Sequence, residues 1–588
     1  MSKPAPDRIA EWRAAWPVAL EAWSKFTRLR PPLLCLTVAE ARDAGLTGSF
    51  AMIRLQDQAI VVSMPEVEAC RVGHLPVEIL AHEIGHHILA PATLTDHARL
   101  IARMRRALPT VEDRAPLVSN LYTDLLINDR LFRSADLRMD QVYRALAARP
   151  GRAGSRLFRV YLRIYEILWG LSRGELGGRV AGDEEEGDAS LGARLVRSYA
   201  REWLRGGGRF AALLFPYLLE DVDAIARFAA LHDTRAAGTG GQPTGLSEVD
   251  PDEIDGAVHP AEDDPDGDDG PRPPARAPVD VDGNRPAAGQ AREPFEYGEI
   301  LRAAGLVLTD HEVAVRYYAE RARSHLVRFP SVAAPEHPEP LPEGLEPWSI
   351  GDPLDEIAWF ETVALSPHVV PGMTTVRRVI GTTEGRARRR TPIDLDLYVD
   401  SSGSMTNPQH QLSFPALAGA IIALSALRAG ARVQACLWSG AREHLHTDGF
   451  VRDETAVLRV LTGYFGGGTA FPIHRLRDTY AGRERRPRPA HVLVVSDDGV
   501  TTMFDQDERG QSGWDVCGRA LAAAGGGGTL VLNLPVTWET LERKPYRDLM
   551  RARDEQGWQV HAVSTWDQLV GFAKAFSRRR YGPGIAAG

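Results

Sequence analysis

The chain has 588 residues, 44% hydrophobic and 25% charged, with a formal net charge of −9. That length allows three or four domains, and the balance is that of a globular protein. No basic field argues for nucleic acid or an anionic membrane surface as a partner. Lys3, Lys25, Lys544 and Lys574 are the only lysines, so arginine carries the positive charge. With abundant Ala, Gly and Pro, that bias suggests a GC-rich bacterial genome. Cys35, Cys70, Cys436 and Cys517 are scattered with no CxxC, which disfavours a disulfide framework and fits a reducing cytoplasm. Met1 to Trp16 has no apolar core of signal-peptide length, and the longest apolar stretch, Phe414 to Leu427, is too short to span a bilayer. A cytoplasmic protein with no membrane partner is therefore expected.

Residues 7–235 read as mainly helical, with apolar residues at three- and four-residue spacing in Arg156 to Leu171 and Leu195 to Leu204. Leu33 to Ala39 and Phe50 to Ser63 alternate like strands and predict a small sheet ahead of a helix over Val77 to Leu89. Pro76 fits the first turn of that helix and Pro91 its end. The helix contains His82-Glu83-Ile84-Gly85-His86, an HExxH. At roughly 3.6 residues per turn, His82 and His86 leave one face together and can share one zinc ion. Glu83 beside them is the candidate catalytic base. Zinc needs a third protein ligand. Asn120, Asp124 and Asn128 stack at four-residue steps in a second helix, where buried polar groups need partners. Asp124 is the first candidate and Asn120 the alternative. The acidic run Asp183 to Asp188 reads as a solvated loop.

Over about residues 75–130 this pattern resembles the gluzincin metallopeptidases. Their second helix supplies an acidic ligand and, one turn on, a polar residue that orients a histidine. The resemblance implies a zincin-like domain over residues 1–235 with zinc at His82, His86 and Asp124. The chain departs from the family in carrying an aspartate where a glutamate is usual.

Residues 236–294 hold almost no large apolar side chains and are rich in Asp, Gly and Pro. Such a stretch cannot bury enough apolar surface to offset its ordering entropy, and reads as a disordered acidic linker. Residues 295–390 form a lead-in of two helices, Tyr297 to Ala304 and His311 to Leu326, followed by a proline-rich strip, Pro335 to Pro347.

From 391 to 588, strands at Ile393 to Val399, Val433 to Trp438, His491 to Val495, Thr529 to Leu534 and Trp558 to Val563 alternate with helices. That alternation predicts an α/β fold, a doubly wound parallel sheet covered on both faces. Its first strand delivers Asp400-Ser401-Ser402-Gly403-Ser404, a DxSxS, to a carboxyl end, where open parallel sheets bind ligands. Asp400, Ser402 and Ser404 offer oxygen ligands of the kind magnesium prefers. Thr469, in a glycine-rich loop, and Asp497 or Asp498, at another strand end, can join them.

Three such loops in this order resemble the metal-ion-dependent adhesion site (MIDAS) of von Willebrand factor A (VWA) domains. The resemblance covers about residues 391–577. It implies magnesium at Asp400, Ser402, Ser404, Thr469 and Asp497, with a position left for a carboxylate from a protein partner. Trp348 to Trp359 and Pro371 to Thr375 are similar to the lead-in of bacterial VWA proteins that work with MoxR-type AAA+ ATPases. No GxxxxGK[ST] occurs, so ATP hydrolysis would have to come from such a partner. Two other readings stay open: a non-enzymatic adaptor stabilised by metal, and a VWA subunit like those of magnesium or cobalt chelatases.

Overall fold

The computed structural model describes residues 6–24, 27–148, 155–176, 182–234, 237–238, 240–261, 291–327, 339–383, 392–440, 442–481, 486–535 and 537–582. The chain divides into two compact units. The first is Met1–Arg321 with Thr406–Ser413 and Thr462–Tyr464; the second is Ala322–Met405, Phe414–Leu461 and Phe465–Gly588. Among the described residues, no helix is long and apolar enough to cross a membrane.

The first unit is mainly helical around a three-stranded sheet. Strands β1 (Leu33–Cys35), β2 (Ala51–Arg54) and β3 (Ala59–Ser63) lie in the order β1-β3-β2, with β1 parallel and β2 antiparallel to β3. The HExxH helix, Pro76–Ile88, carries proline in its first turn as expected. It packs on β2 and on the helices Pro6–Glu21 and Ala115–Ala135. Gly85 makes the last contact possible. A Cβ there would lie 2.5 Å from Ile127 Cγ2 and 2.7 Å from Trp23 Cζ2. Glycine inside a helix costs about 1 kcal/mol relative to alanine. Here that cost brings two backbones close enough for side chains to converge.

Two expectations fail in instructive ways. The acidic run at Asp183 is the first turn of a helix, Asp183–Ser198, not a loop. Four carboxylates there complement the positive end of the helix dipole, and Glu185 accepts hydrogen bonds from Arg156 and Arg159. The stretch read as a disordered linker is structured at both ends. Leu246 and Val249 are buried, and Arg292 and Glu253, each 2% exposed, pair at 2.7 Å. A few buried aliphatics and one enclosed ion pair hold a segment whose composition alone reads as solvated. Residues 262–290, the most acidic and proline-rich part of that stretch, lie outside the described residues.

The second unit holds an antiparallel ribbon and a larger sheet. The ribbon pairs β4 (Glu339–Pro347) with β5 (Val376–Thr383). The proline strip is thus partly a strand, which a two-stranded ribbon tolerates because each strand is an edge. The larger sheet contains β6 (Asp394–Asp400), β7 (Val433–Trp438), β8 (His444–His446), β9 (Ala490–Asp497), β10 (Gly525–Asn533) and β11 (Gln559–Val563). Their order is β11-β10-β9-β6-β7-β8, parallel except for the edge strand β8. The five expected parallel strands are present; β8, three residues long, was too short to read from periodicity.

Both faces of this sheet are covered. Tyr398, Cys436, Val492, Val494, Leu530 and Leu532 share one core with the helices Ile473–Tyr480 and Gly513–Ala524. Alternate residues turn the other way, where helix Phe414–Arg428 sets Gly419 against Val399. Strands β6 and β9 are neighbours although β7 and β8 separate them in the chain. The winding direction reverses between them, so their carboxyl ends flank a crevice.

Candidate metal centres

In the first unit His82, His86, Asp124 and Asp233 bring one ligand atom each to within 4.8 Å of the others. Asp124 and Asp233 are nearly solvent-free and His86 is fully buried. His82 Nε2 lies 3.0 Å from Asp233 Oδ2 and 3.7 Å from Asp124 Oδ1. His86 Nε2 lies 3.5 Å from Asp124 Oδ1 and 3.3 Å from Asp233 Oδ1. A tetrahedron with metal–ligand bonds near 2.0–2.1 Å has edges of about 3.3 Å. The four histidine–aspartate separations bracket that length.

The outer hydrogen bonds fix which atoms point inward. His86 Nδ1 faces the Ala90 carbonyl at 3.0 Å, and a carbonyl only accepts. Nδ1 therefore carries a proton, and Nε2 is the ring atom turned to the cluster. His82 Nδ1 lies 2.7 Å from Asn128 Oδ1. Asn128 presents that oxygen because its Nδ2 donates to the hydroxyls of Tyr143 and Tyr165. Asp124 Oδ2 accepts from Asn120 Nδ2 at 3.0 Å, leaving Oδ1 for the centre. His86 Nε2, Asp124 Oδ1, Asp233 Oδ1 and Glu83 Oε2 are buried with no hydrogen-bond partner. The first three converge here. Native structures rarely leave such groups unmatched, and a cation matches all of them.

Protonation follows the same logic. Burial, then the Asp233 charge, pushes the Glu83 carboxyl well above the usual range. Burial, then Asp233 and Glu83, does the same to Asp124, against the Asn120 hydrogen bond. Burial also acts to raise Asp233, but His86 and His82 outweigh it and the net shift is downward. The residues fit a metal ion of the kind two imidazoles and two carboxylates neutralise: their formal charge of about −2 balances a divalent cation.

The HExxH pair and Asp124 thus meet as the sequence expects. Asn120 is not at the centre; it holds Asp124. Asp233 was not foreseen. It lies 151 residues from His82, just past the short 3-10 helix Ala229–Leu231. No spacing rule links it to an HExxH.

In the second unit Asp400 ends β6 and Asp497 ends β9, on the two sides of the switch point. Asp400 Oδ1 accepts from the Ser402 amide at 2.8 Å and Oδ2 from Ser496 Oγ at 2.5 Å. Ser402 Oγ lies 3.2 Å from Ser404 Oγ, and Ser404 Oγ donates to Asp497 Oδ2 at 2.9 Å. Asp497 Oδ1 accepts from the Gly499 amide at 2.9 Å. The third loop docks here as well, because Gly403 donates its amide to the Gly467 carbonyl at 2.8 Å. A Cβ on Gly499 would sit 2.6 Å from Thr469 Cγ2, so glycine is what lets Thr469 pack against the turn that follows Asp497. Asp498 turns away and accepts from the Tyr546 hydroxyl. Burial raises the Asp400 carboxyl; its bonds from Ser496 and Ser402 oppose that. Ser496 was not singled out from sequence, although it directly precedes Asp497.

Compared with known proteins, the chain matches no family model and no curated protein.

Proposed function

We propose that this chain joins a zincin-like metallopeptidase domain to a VWA-type protein-binding module. The observation that carries the reading is the convergence of His82, His86 and Asp124, each with its outer hydrogen bond, beside a buried Glu83. His82, His86 and Asp124 would hold zinc, which supplies Lewis acidity toward a scissile carbonyl. Asn128 and the Ala90 carbonyl keep both imidazoles in the tautomer that offers Nε2 inward. Glu83 would act in its ionised form, taking a proton from the attacking water and returning it to the leaving amine as the C–N bond breaks; its burial raises its affinity for that proton.

In the second unit Asp400, Ser402, Ser404, Thr469 and Asp497 would take magnesium and present it to a carboxylate of a partner protein. The crevice between β6 and β9, lined by carboxylates and hydroxyls, supports that reading. A MoxR-type AAA+ ATPase in a bacterial cytoplasm is the partner we favour, since the chain has no phosphate-binding loop of its own.

Metal analysis of purified protein tests both sites. Zinc is expected to be lost in His82→Ala alone, and magnesium affinity in Asp400→Ala alone. Zinc retained by His82→Ala would refute the first assignment. A second reading, a non-enzymatic adaptor, draws on the presence of four ligand candidates in the first unit where a peptidase uses three. Glu83→Gln separates the two: full function in cells would leave only the adaptor.

A further inference from the structure

The four candidate ligands are not equally supported. His82 is backed by Asn128, His86 by the Ala90 carbonyl and Asp124 by Asn120. Asp233 has no such support: among the described residues its carboxylate meets only the two imidazoles. Outer hydrogen bonds orient a ligand and keep it in place when the metal leaves. A ligand without one is the easiest to exchange.

The backbone differs too. Asp124 lies inside a 21-residue helix, and His82 and His86 inside a 13-residue helix. Asp233 sits on irregular chain beyond a three-residue 3-10 turn. Asn120 clamps that chain. Its Nδ2 donates to the Leu231 carbonyl at 2.7 Å, and its Oδ1 accepts from the Thr234 amide at 2.9 Å and the Thr234 hydroxyl at 2.6 Å. One side chain therefore steadies the ligand Asp124 and latches the segment that carries Asp233.

The space beside the site is small. A cavity of about 30 Å³ touches Glu83 and Asp233 and is walled by Ile79, Met139, Val142 and Leu146. It admits a water molecule but no peptide. With Asp233 seated, the fourth ligand position is filled and a substrate carbonyl has nowhere to bind.

We propose that Asp233 is a displaceable internal stopper, which fills the fourth ligand position of the His82–His86–Asp124 site and keeps it latent until the 231–234 segment lifts away. The proposal rests on the zincin-like reading above. Lifting the segment would free a ligand position next to Glu83 and open the apolar cavity beside it. Any event that breaks the Asn120–Thr234 latch would then switch the centre on.

The test uses the full chain loaded with zinc, or with cobalt as a spectroscopic stand-in, and acetohydroxamate as the probe. Metal content and the cobalt absorption band are read for wild type, Asp233→Ala, Asp124→Ala and Thr234→Val. Asp233→Ala is expected to keep one metal per chain and to bind acetohydroxamate at least about tenfold more tightly than wild type, because the probe no longer competes with an internal carboxylate. Thr234→Val, which touches no ligand, is expected to shift affinity the same way by a smaller factor. Asp124→Ala is expected to lose the metal. Loss of metal from a folded Asp233→Ala, or unchanged hydroxamate affinity in both Asp233→Ala and Thr234→Val, would overturn the stopper while leaving the metal site standing. A wild-type chain that binds no metal would overturn the site reading itself.

Discussion

In the first unit His86 Nε2, Asp124 Oδ1 and Asp233 Oδ1 converge in a buried site with no hydrogen-bond partner of their own. In the second, all four carboxylate oxygens of Asp400 and Asp497 meet a hydroxyl or an amide. The difference sets what each site does without a cation. Hydroxyl donors satisfy the second site when it is empty, so an ion there displaces existing hydrogen bonds and comes and goes at modest cost. The first site has no such reserve. Without a metal, protons must stand in on the imidazoles or carboxyls, and burial makes every alternative expensive. The buried groups of the first site call for a cation; those of the second are already paired.

Removing metal is expected to separate the two most strongly. Loading zinc to about a thousandfold above its Kd stabilises a site that only the folded unit presents by about 4 kcal/mol. Chelation is therefore expected to lower the melting transition of the first unit and leave that of the second in place. Calorimetry of the whole chain reads both transitions, and a parallel fall in the two would break the contrast.

Buried acids provide the next handle. Asp396 lies in β6 and is fully buried. It accepts from Tyr480 and Gln434, yet burial pushes it up to about 7. Its folded form holds a proton that the unfolded chain has already lost. Its contribution is full below the unfolded value, about 4, and is lost as pH rises through about 7, a total of about 4 kcal/mol. Asp396→Asn is expected to flatten that slope and stabilise the second unit at pH 8, read by denaturant unfolding across pH. The stripped first unit is expected to slope the same way, because Asp124 and Glu83 are also raised, and to flatten when metal is restored.

Packing gives a smaller effect. Gly85→Ala gains helix propensity but places a methyl against Ile127 and Trp23. The overpacking costs about 1–3 kcal/mol and spreads the ligand helices, so metal affinity is expected to fall with stability. Competition against a zinc-sensitive dye checks it. Weakest of all, Ser404→Ala removes one hydroxyl from the second site. It is expected to reduce magnesium affinity about tenfold with unfolding unchanged, as read by isothermal titration.

Elements were legible where their pattern is local. The strand–helix alternation after residue 391 and the HExxH helix both appear where expected, most ends within a residue or two, although the strand expected from Thr529 begins at Gly525. So do Asn120, Asp124 and Asn128 on one helical face, because a four-residue step is itself geometry. The acidic run at Asp183 misled because charge reads the same in a loop and in the first turn of a helix. Structure at the ends of the linker misled because a single enclosed pair, Arg292 with Glu253, outweighs composition.

The sequence alone determined the doubly wound sheet, the histidine pair and the DxSxS, since each depends on the period of one segment. Only the tertiary structure decided the places of Asn120 and Asp233 and set Asp497, not Asp498, beside Ser404. Those depend on which segments meet, and nothing in the spacing of His82 and Asp233 along the chain encodes a separation of 3.0 Å in space.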